Sequence, residues 1–444
     1  MHDRADFSEI TRKKEEARAA FTAWSEMSCD ERQRYMTGLK KTIYNNRTVI
    51  ADTLISDSCR LRFAAEGLIF EILNTFSIMK EAKKILAKPA VISMKNLRRS
   101  ARECFTIYEP IGVIGIIAPA NAPFFESMQQ MIHALVMGNA VIVKLPETAE
   151  QVAGLIARII ADSGLPRGVA SVVSGGPEQG ARLVSSDGVD KIIAFSKHDT
   201  GRKIIKESAE HRIKPMVLGL GDSAVSIVLD DCQFERTVEG LVYGSFCNSG
   251  QSCSSIRRII VLEKTAELLL PALIERVKGM QSGPRDAAHN EIGRVNRKED
   301  TKRLLDALRE AVNQGARVFP DDYFDSEAYR IRPVVVTDVC PDMRLMREEF
   351  VGPYACFCTA RDDDEAVTLA NSTMYGLGAS VWTTDFARGR ALAKKIQTGT
   401  VWINTTQVYH YMLPYGGYKQ SGFGKLSGKD ALLECVNKKL IVKD

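Results

Sequence analysis

Tyr243-Gly244-Ser245-Phe246-Cys247-Asn248-Ser249-Gly250-Gln251-Ser252-Cys253-Ser254-Ser255-Ile256-Arg257-Arg258 is the stretch on which the reading of this chain turns. Cys253 stands among small and polar residues, just ahead of the run Ile259-Ile260-Val261-Leu262. A free cysteine ordinarily behaves as a small hydrophobe in apolar company. One in a Gly-Gln-Ser turn ahead of a strand is placed like a nucleophile on a loop held by a rigid scaffold. For a lone cysteine, a small buried residue in a turn is the simpler reading. Here the flanks, Asn-x-Gly-Gln-x-Cys followed by small residues and an Arg, weigh against it.

Working outward, Val113 to Ile117 has no polar alternation, as in a strand buried on both faces of a parallel sheet. The turn Pro119-Ala120-Asn121-Ala122-Pro123 follows at the strand's C-terminal end, where open α/β sheets place ligands. A helix (124–137), a strand (140–144), the segment Leu145-Pro146-Glu147-Thr148, a helix (149–163) and a strand (169–173) continue the alternation, which argues for a doubly wound sheet. No turn carries Gly-x-Gly-x-x-Gly; Gly219-Leu220-Gly221 has Ala224 at the third position. Motif alone therefore gives no nicotinamide site.

The remaining chain sets bounds. Its 444 residues exceed one ordinary core and predict two or three domains. Hydrophobic residues at 45% and charged residues at 26% fit a globular protein. The net charge of +5 is scattered, without a polybasic tract, which argues against nucleic acid as partner. Ten cysteines without paired spacing fit a reducing cytoplasm rather than a disulfide framework. The six histidines, from His2 to His410, stand far apart, and no metal-ligand spacing appears. No signal peptide is expected, and apolar runs are shorter than a membrane span, so no membrane partner is expected. Residues 8–50 read as helices, with Ser28-Cys29-Asp30-Glu31 as a capped start, and a further helical region spans 62–88 up to Pro89. Residues 90–110 read as extended. Strands are expected at 191–195, 215–218, 224–229, 258–262 and 332–336, with a turn at 196–200 and helices at 201–210, 232–246, 266–279 and 298–314.

In order along the chain stand Pro-x-Asn-x-Pro, Val-Lys-x-Pro-Glu, Gly-Leu-Pro-x-Gly, Gly-Gln-x-Cys, Glu-Glu-x-x-Gly-Pro, Tyr-Gly-Leu-x-Ala and Pro-x-Gly-Gly-x-Lys-x-Ser-Gly. Each is weak alone; collinear from about Phe21 to the C-terminus, they make the chain resemble the aldehyde dehydrogenase superfamily. The resemblance implies an α/β fold with a Rossmann-type cofactor domain (1–91 and 111–221), an α/β catalytic domain (222–421) and a small β extension (92–110 and 436–444) that pairs with another subunit in a homodimer or homotetramer. It implies NAD-dependent oxidation of a small-molecule aldehyde, with Cys253 as nucleophile through a thiohemiacetal and a thioester. Asn121 and the Cys253 backbone N–H match the oxyanion hole. Pro119, Ser196, Lys197 and Gly219 fall around the cofactor. Lys144 and Glu147 match the adenosine-ribose residues; an acid at 147 repels a 2′-phosphate and favours NAD over NADP. Glu349 matches the acid at the nicotinamide ribose. Glu126, Gln129, Val408, Tyr409 and Tyr415 fall along the substrate tunnel. Read without the resemblance, these are loop charges and packing residues.

Three departures qualify it. Gly219 stands where hydrolytic members carry the Glu that activates water. That predicts slow hydrolysis, with coenzyme A or another thiol as an alternative acyl acceptor and acyl-thioester reduction as the reverse reaction. A degenerate, non-catalytic member is the other alternative. Ser196-Lys197-His198 replaces a Gly-Ser turn. Ala120 and Val351 replace larger aromatic residues.

Overall fold

The computed structural model describes residues 8–57, 61–87, 90–92, 103–281, 291–326 and 329–443. His2, His289 and Pro89, and residues 93–102 of the expected β extension, lie outside them.

The strand read at Val113–Ile117 is the pivot of a six-stranded sheet. Spatial order is Gly422–Phe423, Met216–Gly219, Lys191–Phe195, Val113–Ile117, Ala140–Pro146, Ala170–Gly175. Neighbours are parallel except at the Gly422–Phe423 edge. The chain first runs outward through Ala140–Pro146 and Ala170–Gly175, then crosses back to lay Lys191–Phe195 beside Val113–Ile117. The order reverses between those two strands. Their C-terminal ends therefore flank the crevice where open α/β sheets bind ligands.

A second, seven-stranded sheet carries the cysteine segment. Its order is Arg317–Phe319, Val334–Thr337, Tyr354–Ala360, Ile256–Leu262, Ala224–Val228, Gly378–Trp382, Thr400–Ile403, parallel but for the first strand. Ile256–Leu262 is buried at every position, which explains the apolar run from Ile259 to Leu262; its two arginines, Arg257 and Arg258, are buried against backbone carbonyls. Ala90–Ile92, Glu103–Pro110 and Val436–Lys443 form an antiparallel sheet of their own.

Differences from the sequence reading are local. The region 62–88 is not one helix: Arg62–Thr75 and Met79–Ala87 are separated by a 3-10 turn at Phe76–Ile78. The helix after Lys197 begins at His198, so the expected turn 196–200 is shorter than read. The helix Pro177–Ser185 was not read because Gly180 weakens its pattern. Ser28 caps the helix Cys29–Asn45 as expected, with Glu31 closing the reciprocal bond.

Buried Asn139 locks the first sheet to the C-terminal segment. Its Oδ1 accepts from the backbone N–H groups of Ile111 (2.7 Å) and Gly112 (3.1 Å). Its Nδ2 donates to the carbonyls of Ala134 (3.1 Å) and Cys435 (2.8 Å). Asn139→Ala strands the Ile111 and Gly112 N–H groups and the Cys435 carbonyl, each costing about 1–3 kcal/mol when unsatisfied, while the Ala134 carbonyl keeps the residue-139 backbone N–H. The expected loss is at least about 3 kcal/mol, read as a lower urea midpoint than the parent's.

Candidate active site

A cavity of about 710 Å³ opens at the reversal point of the first sheet. Its wall brings together residues far apart in sequence: Pro119 and Asn121, Lys144 and Glu147, Ser196 and Lys197, Gly219, Cys253, Glu349 and Tyr415. Glu126 lines it too. The second sheet closes the cavity from the other side, through the loop that carries Cys253.

That loop has an unusual backbone. Asn248, Ser249 and Gly250 are consecutively left-handed, with φ of 53°, 57° and 65°. A Cβ at Gly250 would overlap the carbonyl of Gly352, so only glycine fits. Buried Arg257 fixes the approach: it donates to the carbonyls of Gly250 and Gly352, the latter at 2.6 Å. The loop that carries Cys253 and the loop 349–353 are thus one unit. Asn121 joins them from the first sheet, its Nδ2 donating to the Gln251 carbonyl at 2.8 Å.

Cys253 is half-buried, with its Sγ 3.5 Å from the Tyr415 hydroxyl. Burial pushes its thiol up to about 12; Tyr415 opposes the shift, and the negative charges of Glu126, Glu349 and Asp222 add to it. Burial and these charges favour the thiol over the thiolate. Glu349 is pushed up to about 7 by burial, opposed by Lys197, the Asp222 backbone N–H and Arg257. Gly221 (φ 88°) makes room for it, since a Cβ there would overlap its carboxylate. Asp222, pushed up to about 6 by burial, accepts from the N–H groups of Leu377 (3.2 Å) and Gly378 (2.9 Å).

Away from the thiol, Lys144 is buried, and burial lowers its pKa against the pull of Glu147 and Glu178. Pro177, Gly180, Val184 and Ile204 give this part of the wall an apolar slot between two helices. Ser196, Lys197 and Thr200 stand at the N-terminus of the helix His198–His211. Lys197 pairs with Asp300 at 2.6 Å, which the sequence reading did not anticipate. An apolar slot, a buried cation and a helix N-terminus aimed at the same cavity fit a dinucleotide with its phosphates on the helix.

Three expected tunnel residues are not on this wall. Gln129 is buried, its Oε1 accepting from Gln130 at 3.4 Å. Val408 is exposed, and only its carbonyl is engaged, by Trp402 Nε1 at 3.1 Å. Tyr409 stands one layer behind, bonded to the Ser254 hydroxyl and edge-on to the Tyr415 ring at 5.2 Å. Conversely, Asn296 and Asp300 line the cavity without any motif in the sequence marking them. Asp300 reads as an ordinary first-turn acid; its partner is 103 residues away and leaves no local signal. Ala120 and Val351 both line the wall.

A model of the Aldehyde dehydrogenase family matches residues 2–441. Betaine aldehyde dehydrogenase 1 of Oryza sativa subsp. japonica is 31% identical over 95% of this chain and 84% of its own length. Aminoaldehyde dehydrogenase 2 of Solanum lycopersicum is 30% identical over the same shares. Among solved structures, betaine aldehyde dehydrogenase from Staphylococcus aureus in complex with NAD+ superposes with a TM-score of 0.92 at 27% identity, covering 98% of this chain and 87% of that one. The NAD-dependent aldehyde dehydrogenase from Sinorhizobium meliloti gives 0.94 at 27% identity, with 99% and 87% covered.

The electrostatics of the thiol are directly testable. In the protein without ligand, iodoacetamide modification of the Cys253 peptide should accelerate about tenfold per pH unit between pH 7 and 10, because thiolate is the reactive form and the thiol titrates above this range. A plateau below pH 9, read by peptide mass spectrometry, contradicts this.

Proposed function

Because the chain belongs to the aldehyde dehydrogenase family, we propose that it oxidises an aldehyde to a carboxylic acid with NAD, using Cys253 as the covalent nucleophile. The observation that carries this reading is the meeting of Cys253, Asn121 and Glu349 with Lys144 and Glu147 on one cavity wall at the reversal point of the sheet.

Lys144 and Glu147 hold the adenosine ribose, and Pro119 and the apolar slot take the adenine side. Ser196 and Lys197, at a helix N-terminus, meet the phosphates; Lys197 then exchanges part of its Asp300 pairing for them. Glu349 accepts from the second ribose, and Gly219 leaves the sheet end open beside it. When bound, NAD supplies the hydride acceptor and a positive ring near the sulfur. A positive charge there would oppose the three carboxylates that favour the Cys253 thiol, which would let the thiolate form.

The thiolate attacks the carbonyl carbon. The oxygen takes up negative charge between the Asn121 amide and the Cys253 backbone N–H. Loss of hydride leaves a thioester on Cys253, and water releases the acid. Gly219 favours a thiol as acceptor, but no relative described above is named for coenzyme A, so water is the acceptor proposed. The relatives' names make betaine aldehyde and ω-aminoaldehydes the first substrates to assay. A reducing compartment such as the cytoplasm suits the free cysteines among the described residues. The Val436–Lys443 strand is an edge of the small sheet with Leu440 and Val442 exposed, which suits pairing with a second subunit in a dimer or a dimer of dimers.

Cys253→Ala should abolish aldehyde-dependent NADH formation, at least a thousandfold, while NAD binding measured by calorimetry stays within about threefold. Residual turnover above that level contradicts the assignment. Glu147→Ser should narrow the preference for NAD over NADP by about tenfold or more in kcat/KM; an unchanged ratio would remove Glu147 from the ribose site.

A further inference from the structure

The proposed reaction needs a base for the water that cleaves the thioester, and the chain has glycine where the family places one. Gly219 is confined as well as bare. A Cβ there would sit 3.2 Å from Leu426 Cδ1 and 3.3 Å from Phe195 Cδ1, so those two side chains crowd the room a longer side chain would take. Three other carboxylates act on Cys253 through their charge: Glu126, Glu349 and Asp222. Asp222 is buried and holds the N–H groups of Leu377 and Gly378, a structural tie between the two sheets. Glu349 is seated against Gly221 and the Asp222 N–H, and in the reading above it receives the ribose. Glu126 differs from both. It stands in the first turn of the helix Pro123–Val136, directly after the Asn121 turn, and lines the same cavity as Asn121 and Cys253. The Asn121–Gln251 bond ties the start of that helix segment to the nucleophile loop. Among the three, Glu126 bears most strongly on the thiol. A carboxylate so placed raises the cost of forming thiolate, a burden that a purely packing residue in this wall would not bring.

We propose that Glu126 is a further catalytic residue, the base that takes the proton from water attacking the Cys253 thioester, replacing the group that Gly219 lacks. The proposal rests on the acyl-enzyme reading above. In the step, the Glu126 carboxylate accepts one proton from water as the water oxygen bonds to the thioester carbon. The tetrahedral intermediate, its oxyanion on Asn121 and the Cys253 N–H, collapses with cleavage of the carbon–sulfur bond. The departing sulfur takes the proton back from Glu126. The product acid ionises to solvent, so Cys253 and Glu126 return to their starting states with no further oxidant or reductant.

The test is rapid-mixing NADH formation with saturating NAD and either propanal or 3-aminopropanal, for the parent, Glu126→Gln and Glu126→Met. The methionine variant keeps length and apolarity should the glutamine variant fail to fold. The expected result is a retained burst near one NADH per site, a steady rate lowered about a hundredfold, and recovery of most of that rate by hydroxylamine, a nucleophile that attacks thioesters without a carboxylate's help. A steady rate within threefold of the parent in either folded variant overturns the proposal. So does a raised KM for 3-aminopropanal alone with kcat unchanged, which would make Glu126 a cation anchor. Loss of the burst without hydroxylamine rescue overturns it in favour of a structural role. A parent that forms no NADH with either aldehyde or with betaine aldehyde overturns the acyl-enzyme reading itself, and this proposal with it.

Discussion

The site depends on one buried cation that serves two loops. Arg257 gives its guanidinium to the carbonyls of Gly250 and Gly352, and its plane lies over the Tyr354 ring at 4.8 Å. A buried guanidinium is tolerated only when its donors are satisfied. Here they are satisfied by the two turns that must be held together, the one ahead of Cys253 and the one after Glu349. Glycine at 250 lets the two backbones touch. Two further cavity residues are tied to this junction: Asn121 reaches it through Gln251, and Tyr415 reaches it through the sulfur.

The same arrangement sets an electrostatic tension. Three carboxylates act on the sulfur through their charge, so in the unliganded protein burial and charge both favour the proton on Cys253. Lys197, a nearby candidate, is committed to Asp300 and acts on Glu349 instead. Under the proposed reaction, a thiol so masked would react little with bystander electrophiles, and its activation would depend on cofactor binding in the other half of the cavity.

The fold was legible where burial dictates sequence. Val113–Ile117 and Lys191–Phe195 are found at the read positions because strands buried on both faces are mostly apolar; the one buried cation, Lys191, is paired with Glu434. The cysteine loop was legible through its glycine and its small neighbours, whose reason is now the contact with Gly352. What could not be read was pairing at long range. Asp300 as the partner of Lys197, Asp222 as the acceptor for the Leu377–Gly378 turn, and Phe195 with Leu426 crowding Gly219 all join segments separated by long stretches of chain. No periodicity records such contacts. For the same reason Gln129, Val408 and Tyr409, carried over by position alone, lie off the wall that Glu126 and Tyr415 share. Position along a motif places the backbone; which side chain faces the cavity is decided by packing.

The central claim is that carbon becomes bound to one sulfur during turnover. Mixing the protein with NAD and an aldehyde, quenching in acid within milliseconds and mapping peptides by mass tests it most directly. The account predicts an acyl group on the peptide that carries Cys253, appearing as fast as NADH and on no other cysteine. NADH formed with that peptide unmodified at every time point would contradict it.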